Sequence, residues 1–141
     1  SSRPSSPIFN YPYSRSRETL AHLHQHGSLH ECHGVKMRFI NPATGGAPMP
    51  TIGAFMQLLP KGFQGTPYRA TDSTVYAAVE GHGRTRVGDV TYEWGPRDIF
   101  VVPSWTWTGH EAADEAVLFS FSDRPAQKAL GLWREQLRQT D

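Results

Sequence analysis

The nine residues Gly95–Pro103, with the sequence GPRDIFVVP, combine a turn containing glycine, a short apolar run and a terminating proline. The apolar part, Ile99–Val102, is rich in β-branched and aromatic residues and has the length of a buried strand. Upstream, Arg84–Val87 and Val90–Trp94 flank Gly88-Asp89, a two-residue connection typical of a tight hairpin. This stretch therefore predicts a β-hairpin followed by a buried strand.

The same pattern of short apolar runs continues on both sides of this stretch. The 13 glycines and 11 prolines fall between the runs and do not cluster in one linker. Val35–Phe39 alternates apolar and basic residues, which is typical of a strand with one buried face. Evenly spaced strands of this kind predict an all-β sandwich or barrel. The remaining predicted strands are Ile52–Leu59, Thr74–Val79, Trp105–Thr108 and Val117–Phe121.

Two helices flank the predicted strands. The first covers Ser16–His26, with Leu20 and Leu23 on one face, Ser14 or Ser16 as its cap, and Gly27 at its end. The second follows Pro125, is capped by Ser122 or Asp123, and lays an apolar stripe on the barrel. That stripe consists of Ala126, Leu130, Trp133 and Leu137.

Composition limits the class of protein. A chain of 141 residues corresponds to one domain, and a formal charge of +1 favours neither nucleic acid nor a membrane surface as its partner. The single cysteine, Cys32, excludes an intramolecular disulfide framework, so we predict a cytoplasmic protein. No apolar run approaches the ~18 residues of a membrane span. Because the chain starts at Ser1 without methionine, we expect upstream residues to be missing.

The spacing of Gly62–Gly81 and Gly95–His110 resembles the two sequence motifs of a cupin barrel. Metal-binding cupins offer His-x-His and Glu in the first motif, and these places fall here on Tyr68, Ala70 and Thr74. His110 stands where the second motif has its histidine. One imidazole rarely holds iron or zinc alone, so we expect no metal in this barrel. His110 is the one metal candidate, and a hydrogen-bonded polar role is its other interpretation.

An upstream cluster of histidines could imitate a metal site. His22 and His26, or His26 and His30, could meet if they share a helix face, but a solvated polar face explains them as well. Cys32 lies among them and is interpreted as buried and inert unless a cation activates it. The cluster consists of His22, His24, His26, His30 and His33 with Glu31 and Cys32.

A ligand pocket at the barrel mouth is the other candidate site. Trp105 could form an aromatic wall, and Arg69 could hold a carboxylate, although core packing and surface solvation are the ordinary uses of such residues. The pocket candidates are Tyr68, Arg69, Thr74, Trp105 and His110. The chain has no Rossmann or Walker phosphate loop and no serine nucleophile elbow.

Several blocks together resemble the C-terminal cupin domain of the gentisate 1,2-dioxygenase family. The resemblance runs from about Pro7 to Glu135, and Pro7–Tyr13 resembles the segment that joins two cupins in that family. The blocks that carry it are Asn41–Thr51, Arg69–Val75, Trp94–Asp98, Val101–Trp105 and Phe119–Pro125.

This resemblance implies a bicupin enzyme more than twice as long, in which three histidines of the N-terminal barrel hold Fe(II). The family reaction opens gentisate, an aromatic hydroxy acid, to maleylpyruvate with O2. The resemblance further implies that this chain, an arm and helix at 1–34 and a cupin barrel at 35–141, carries no catalytic residue and no metal. Its expected partners are the N-terminal cupin domain and further copies of the protein.

Other interpretations stay open at this point. Salicylate and 1-hydroxy-2-naphthoate dioxygenases share the same layout, so the chain could belong to one of them. It could instead be an independent, non-catalytic cupin that binds a small molecule at the barrel mouth. A standalone metalloenzyme that combines His110 with the upstream histidines is the third possibility.

Overall fold

The computed structural model describes residues 13–39 and 52–139. The predicted arm with Ile8 and Tyr11, the loop Asn41–Pro50 and the resemblance blocks in these stretches lie outside the described residues. In chain order the elements are α1 Tyr13–His26, β1 Val35–Arg38, β2 Gly53–Leu59, β3 Tyr68–Ala70, β4 Thr74–Glu80, β5 Gly83–Val87, β6 Val90–Trp94, β7 Ile99–Val102, β8 Thr108–Ala112, β9 Ala116–Ser122, α2 Arg124–Ala129 and β10 Glu135–Leu137.

Ten strands form two five-stranded antiparallel sheets. The first sheet has the order β1-β2-β9-β4-β7 and the second the order β10-β3-β8-β5-β6. The main core lies between the sheets and includes Tyr76, Phe100 and Leu118 from the first sheet and Val87 and Trp94 from the second. The prediction of an all-β barrel with an N-terminal helix and a C-terminal helix is confirmed.

Helix α1 covers the outer face of the first sheet at β1 and β2. Leu20 is fully buried there against Val35, Met56 and Leu58. Burial of one such side chain contributes roughly 1.5–3 kcal/mol to the free energy of unfolding. Arg17 pairs with Glu80 at 2.8 Å and also with Glu115, which ties the start of the helix to the barrel.

The helix differs from the prediction in where it begins. It starts at Tyr13, so Ser14 and Ser16 lie inside its first turns and neither is the cap. Leu23, expected to share the buried face, is 40% exposed. Neither described helix is long and apolar enough to cross a membrane.

The hairpin around Gly88-Asp89 is confirmed. β5 pairs with β6 from Gly83↔Trp94 to Val87↔Val90. Gly88 has a φ of 59°, a left-handed conformation that residues with a Cβ adopt with strain. The turn chemistry therefore determines this part of the fold locally.

The prediction of a strand at Trp105–Thr108 is wrong, because the strand in this part of the chain, β8, begins at Thr108. Trp105 has a φ of 55° and its N–H donates to the Ala70 carbonyl, so the backbone turns there before β8 begins at Thr108. The indole rings gave this segment an apolar, strand-like composition. Its backbone instead forms the corner between β7 and β8.

The predicted long C-terminal helix is also wrong in extent. α2 ends at Ala129, and Gly131, with a φ of 70°, follows its last turn. The chain then returns as β10 and pairs with the free edge of β3. Leu130, expected on the buried stripe, is 73% exposed.

Candidate functional site

The centre of the barrel is occupied by a buried hydrogen-bond network around His110. Strand β8 directs His110 inward, where it has no exposed surface. Its Nε2 lies 3.0 Å from the Tyr68 hydroxyl, which lies 3.0 Å from the Tyr76 hydroxyl. The Tyr68 hydroxyl of β3 is therefore within hydrogen-bond distance of both the His110 imidazole and the Tyr76 phenol.

The other imidazole nitrogen is also engaged. His110 Nδ1 lies 2.9 Å from the Thr85 hydroxyl, and the Trp94 indole N–H donates to the same hydroxyl at 3.0 Å. Thr85 and Trp94 come from the two strands of the hairpin, so the register of that turn positions them. Both ring nitrogens of His110 thus have partners inside the protein.

Burial keeps this network uncharged. Desolvation lowers the pKa of His110 well below its ordinary value, and the neighbouring His33 and Lys36 act in the same direction. Desolvation also raises the pKa of Tyr68 and of Tyr76. At neutral pH the centre therefore holds a neutral imidazole between protonated hydroxyl groups, which suits hydrogen bonding.

The donor set does not fit an iron site. Ala70 has no donor atom, and the Thr74 hydroxyl donates to Asp72 at 3.4 Å. Over residues 13–39 and 52–139, no three His, Cys, Asp or Glu side chains are placed to hold a metal ion. Fe(II) needs several imidazole or carboxylate ligands that converge, and one imidazole bound to two hydroxyl groups does not supply them.

The cavity beside the network is small. It measures about 20 Å³ and is lined by Tyr68, Thr74 and Tyr76 together with Lys36 and Arg124. A volume of this size holds about one water molecule. An aromatic acid does not fit into it.

The predicted pocket residues fall on two sides of β3. Tyr68, Thr74 and His110 face the interior, whereas Arg69 points away from it. The Arg69 guanidinium stacks over Trp105 at 4.4 Å and over Trp107 at 4.6 Å, and it donates to Gln136. The structure therefore does not bring Arg69 and Trp105 together with the other three candidates.

Four of the five upstream histidines form two pairs, and His24 belongs to neither. The rings of His22 and His26 lie in a tilted arrangement with their centroids 4.5 Å apart on α1, as their spacing predicts. His30 lies beyond the helix end and contacts His33 at 4.9 Å, so it does not meet His26 as proposed. Cys32 has no exposed surface, and burial raises its pKa to about 12, which makes the thiol unreactive.

Sequence reasoning missed several residues around the centre. Thr85, Tyr76 and Trp94 complete the network, and the hairpin register could have indicated that Thr85 faces inward. The alternation in β1 predicts one buried face and does not place Lys36 in the interior. Lys36 is only partly exposed and lines the interior cavity, because α1 covers the other face of that strand.

An apolar patch remains exposed on the first sheet beyond α1, and we call it the outer patch. The strand register aligns Phe121, Val75 and Val101 in one row. Ile99 lies in the next row on β7, the edge strand of the sheet. These four side chains are between 40% and 69% exposed. Contiguous apolar surface of this kind is typical of an interaction face.

Comparison with curated proteins finds close relatives. A gentisate 1,2 dioxygenase 1 from Aquipseudomonas alcaligenes is 56% identical over 131 residues, which cover 93% of this chain and 38% of that protein. A 5-aminosalicylate 1,2-dioxygenase from a Comamonas species is 38% identical over 132 residues, covering 92% of this chain and 35% of the relative. The chain thus spans less than two-fifths of the length of these relatives. No protein-family model matches it.

Solved structures show the same fold. A salicylate 1,2-dioxygenase from Pseudoaminobacter salicylatoxidans, described as adducts with gentisate, superposes with a TM-score of 0.83 at 29% identity over 92% of this chain and 37% of that one. A cupin 2 domain-containing protein from Halorhodospira halophila gives a TM-score of 0.55 at 16% identity over 62% of each chain. The predicted cupin fold is therefore confirmed.

Proposed function

The chain belongs to the gentisate 1,2-dioxygenase family, and from this premise we propose that it is the C-terminal, metal-free cupin domain of a longer ring-cleaving dioxygenase. One observation carries the metal-free role: the Tyr68 hydroxyl is bonded to His110 Nε2. A ligand histidine must present a free nitrogen to its metal. Here the Tyr68 hydroxyl occupies that nitrogen with a hydrogen bond, and its hydrogen bond with the Tyr76 hydroxyl fixes the position of the Tyr68 ring.

The ring-cleaving activity belongs in this proposal to the part of the protein outside this chain. Fe(II) held there supplies open positions for the diol and for O2. Gentisate takes up both atoms of one O2 and opens to maleylpyruvate. Salicylate or 1-hydroxy-2-naphthoate is the alternative aromatic hydroxy acid. We place the protein in the cytoplasm, because its single buried thiol needs no oxidising compartment.

The role of this domain is to pack against the catalytic barrel and against further copies of the protein. The outer patch supports that role, because an exposed apolar surface on a sheet favours contact with another apolar surface. Within residues 13–39 and 52–139, the outer edge of β7 pairs with no other strand, and this edge adjoins the outer patch. A ligand-binding role for the barrel interior is disfavoured, since the cavity lined by Tyr68 and Tyr76 measures only about 20 Å³.

Iron analysis and turnover test the division of labour. The 141-residue chain and the intact protein are incubated with Fe(II), air, and either gentisate or salicylate, and the ring-opened product is followed by absorbance. We expect turnover by the intact protein alone and far less than one iron per short chain. Turnover by the short chain, or near-stoichiometric iron that a His110→Ala variant loses, would contradict the proposal.

A further inference from the structure

A second, larger cavity lies outside the barrel centre. It is a cleft of about 520 Å³ between the C-terminal end of α1, strand β1 and helix α2. Small-molecule sites commonly measure roughly 300–1,000 Å³. Its apolar wall consists of Leu23, Val35, Met37, Phe55 and Pro125. The cleft is thus large enough for a small organic ligand and offers it an apolar surface.

Positive charge dominates the rim of this cleft. Lys36, Arg38, Arg124 and Lys128 line it, and Glu135 is its one carboxylate among the described residues. None of the four cations forms an ion pair in residues 13–39 and 52–139. Outside the described residues, the stretches 1–12 and 40–51 contain no Asp or Glu, and Asp141 is the one acidic side chain. Unneutralised cations that line a concave surface attract anions.

Aromatic contacts hold three of the four cations in place without neutralising them. The Arg124 guanidinium lies 4.2 Å from the Trp133 ring centroid, and the Lys128 ammonium 5.0 Å from the same centroid. The Lys36 ammonium lies 4.8 Å from the Phe55 centroid. Cation–π contacts orient charged groups and leave their positive charge available to an anion.

The deep end of the cleft holds a buried polar atom without a partner. His33 is 8% exposed, and its Nδ1 has no hydrogen-bond partner in the described part of the chain. The Nε2 of the same ring lies 3.6 Å from Glu135. The neutral ring directs its Nε2–H towards Glu135, so Nδ1 is an acceptor without a donor. Buried polar atoms are nearly always paired, so this nitrogen indicates a missing donor beside the cavity, such as a water molecule that also contacts the ligand.

The environment of Lys36 favours an added negative charge. Desolvation and then Arg124 lower its pKa to about 8, while Asp72 and Glu135 act in the opposite direction. An anion beside the ammonium would raise this pKa and cause proton uptake near pH 8. The other charged or titratable groups that line the cleft are His30, His33, Arg38 and Lys128.

We propose that this cleft binds a small organic carboxylate with an apolar or aromatic body. The carboxylate pairs with the cations of β1 and α2, and the body packs on Phe55 and Pro125, which lie next to each other beside Gly53. Inorganic phosphate would satisfy the charges but leave the apolar wall in contact with water. The inference concerns this chain alone and is independent of the ring-cleavage proposal.

Isothermal titration of the 141-residue chain with benzoate, cyclohexanecarboxylate, inorganic phosphate and a short polyglutamate peptide tests this assignment. We expect both organic acids to bind at least several-fold more tightly than phosphate or the peptide. We also expect the heat of benzoate binding at pH 8 to depend on the buffer, because a proton is taken up.

Variants at the exposed rim avoid the risk of unfolding. The double variant Arg38→Gln/Lys128→Gln should weaken benzoate binding about fivefold, since each exposed cation is worth roughly 0.2–1 kcal/mol. Lys61→Gln removes an exposed cation outside the cleft and should leave affinity unchanged. The proposal would be overturned if phosphate bound as tightly as benzoate does, if the peptide bound more tightly than benzoate, or if benzoate showed no measurable binding. It would also be overturned if the double variant and Lys61→Gln changed the affinity for benzoate equally.

Discussion

Replacing Tyr68 by phenylalanine removes one oxygen atom from the centre of the barrel and leaves the ring in place. The lost hydroxyl bridges His110 Nε2 and the Tyr76 hydroxyl at 3.0 Å each. Both partners are at most 1% exposed, so bulk water does not reach them, and the adjacent cavity of about 20 Å³ has room for about one water molecule. A buried group left without its partner costs ~1–3 kcal/mol, so two such groups would cost about 2–6 kcal/mol; because one water can restore part of the bonding, we predict a loss of about 2–4 kcal/mol.

Urea unfolding followed by tryptophan fluorescence measures this loss. A loss of this size is a large fraction of a typical stability of 5–15 kcal/mol and should lower Tm by about 10 °C. Tyr92→Phe is the matched control, because Tyr92 is 40% exposed; its loss should stay within about 0.5 kcal/mol.

A double-mutant cycle strengthens the test. Adding Tyr76→Phe to Tyr68→Phe should cost less than adding it to the unmodified protein, because it removes a hydroxyl that is already unpaired. A Tyr68→Phe loss equal to that of Tyr92→Phe, or strictly additive losses in the cycle, would refute the buried network as the centre of the barrel.

Three further predictions address the helix, the pH dependence and the outer patch. Leu20→Ala should lower the free energy of unfolding by about 2–5 kcal/mol, because it leaves a cavity between α1 and the sheet. Leu23 is exposed, so Leu23→Ala should lower the free energy of unfolding much less. Equal losses in urea unfolding would contradict this packing of the helix. Burial lowers the pKa of His33 to about 4 from an ordinary value near 6.5, so the unfolded chain binds the proton first. His33 by itself should lower the free energy of unfolding by about 2 kcal/mol between pH 7.5 and 5, in addition to a loss of the same sign from the buried His110. A His33→Gln variant with the same urea midpoints as the parent at both pH values would count against that assignment. Ile99→Glu should reduce the self-association measured by light scattering. It should not lower Tm, because the Ile99 side chain is 69% exposed. Unchanged self-association would show that the outer patch is not the contact face.

His110 has a local structural role in a centre that does not fit iron. Its two nitrogens form hydrogen bonds with hydroxyl groups from β3 and β5, the two strands that flank β8 in the second sheet. Removing His110 alone would leave Tyr68 and Thr85 with unsatisfied bonds. The histidine is therefore part of the packing of this barrel.

Local sequence signals determined most of the strands. The hairpin β5–β6, with glycine at its turn, and the apolar runs of β2, β4, β7 and β9 each carry their information within a few residues. Turn chemistry and apolar periodicity act at that range. The mismatch of Tyr68, Ala70 and Thr74 with metal ligands is likewise a property of residue type and needs no coordinates.

Only the tertiary structure decided what pairs over long distances and which face of a strand lies inside. The short strands β3 and β10 lack a periodic signal and form because each supplies an edge to the other. The alternation in β1 indicates two faces without telling which is buried, and both are covered: Val35 lies under α1, while Lys36 lines the interior. The network around His110 takes Tyr68 from β3, Tyr76 from β4, Thr85 from β5 and Trp94 from β6. These residues have no fixed spacing in the sequence, because side-chain contacts across a barrel depend on the register of the strands.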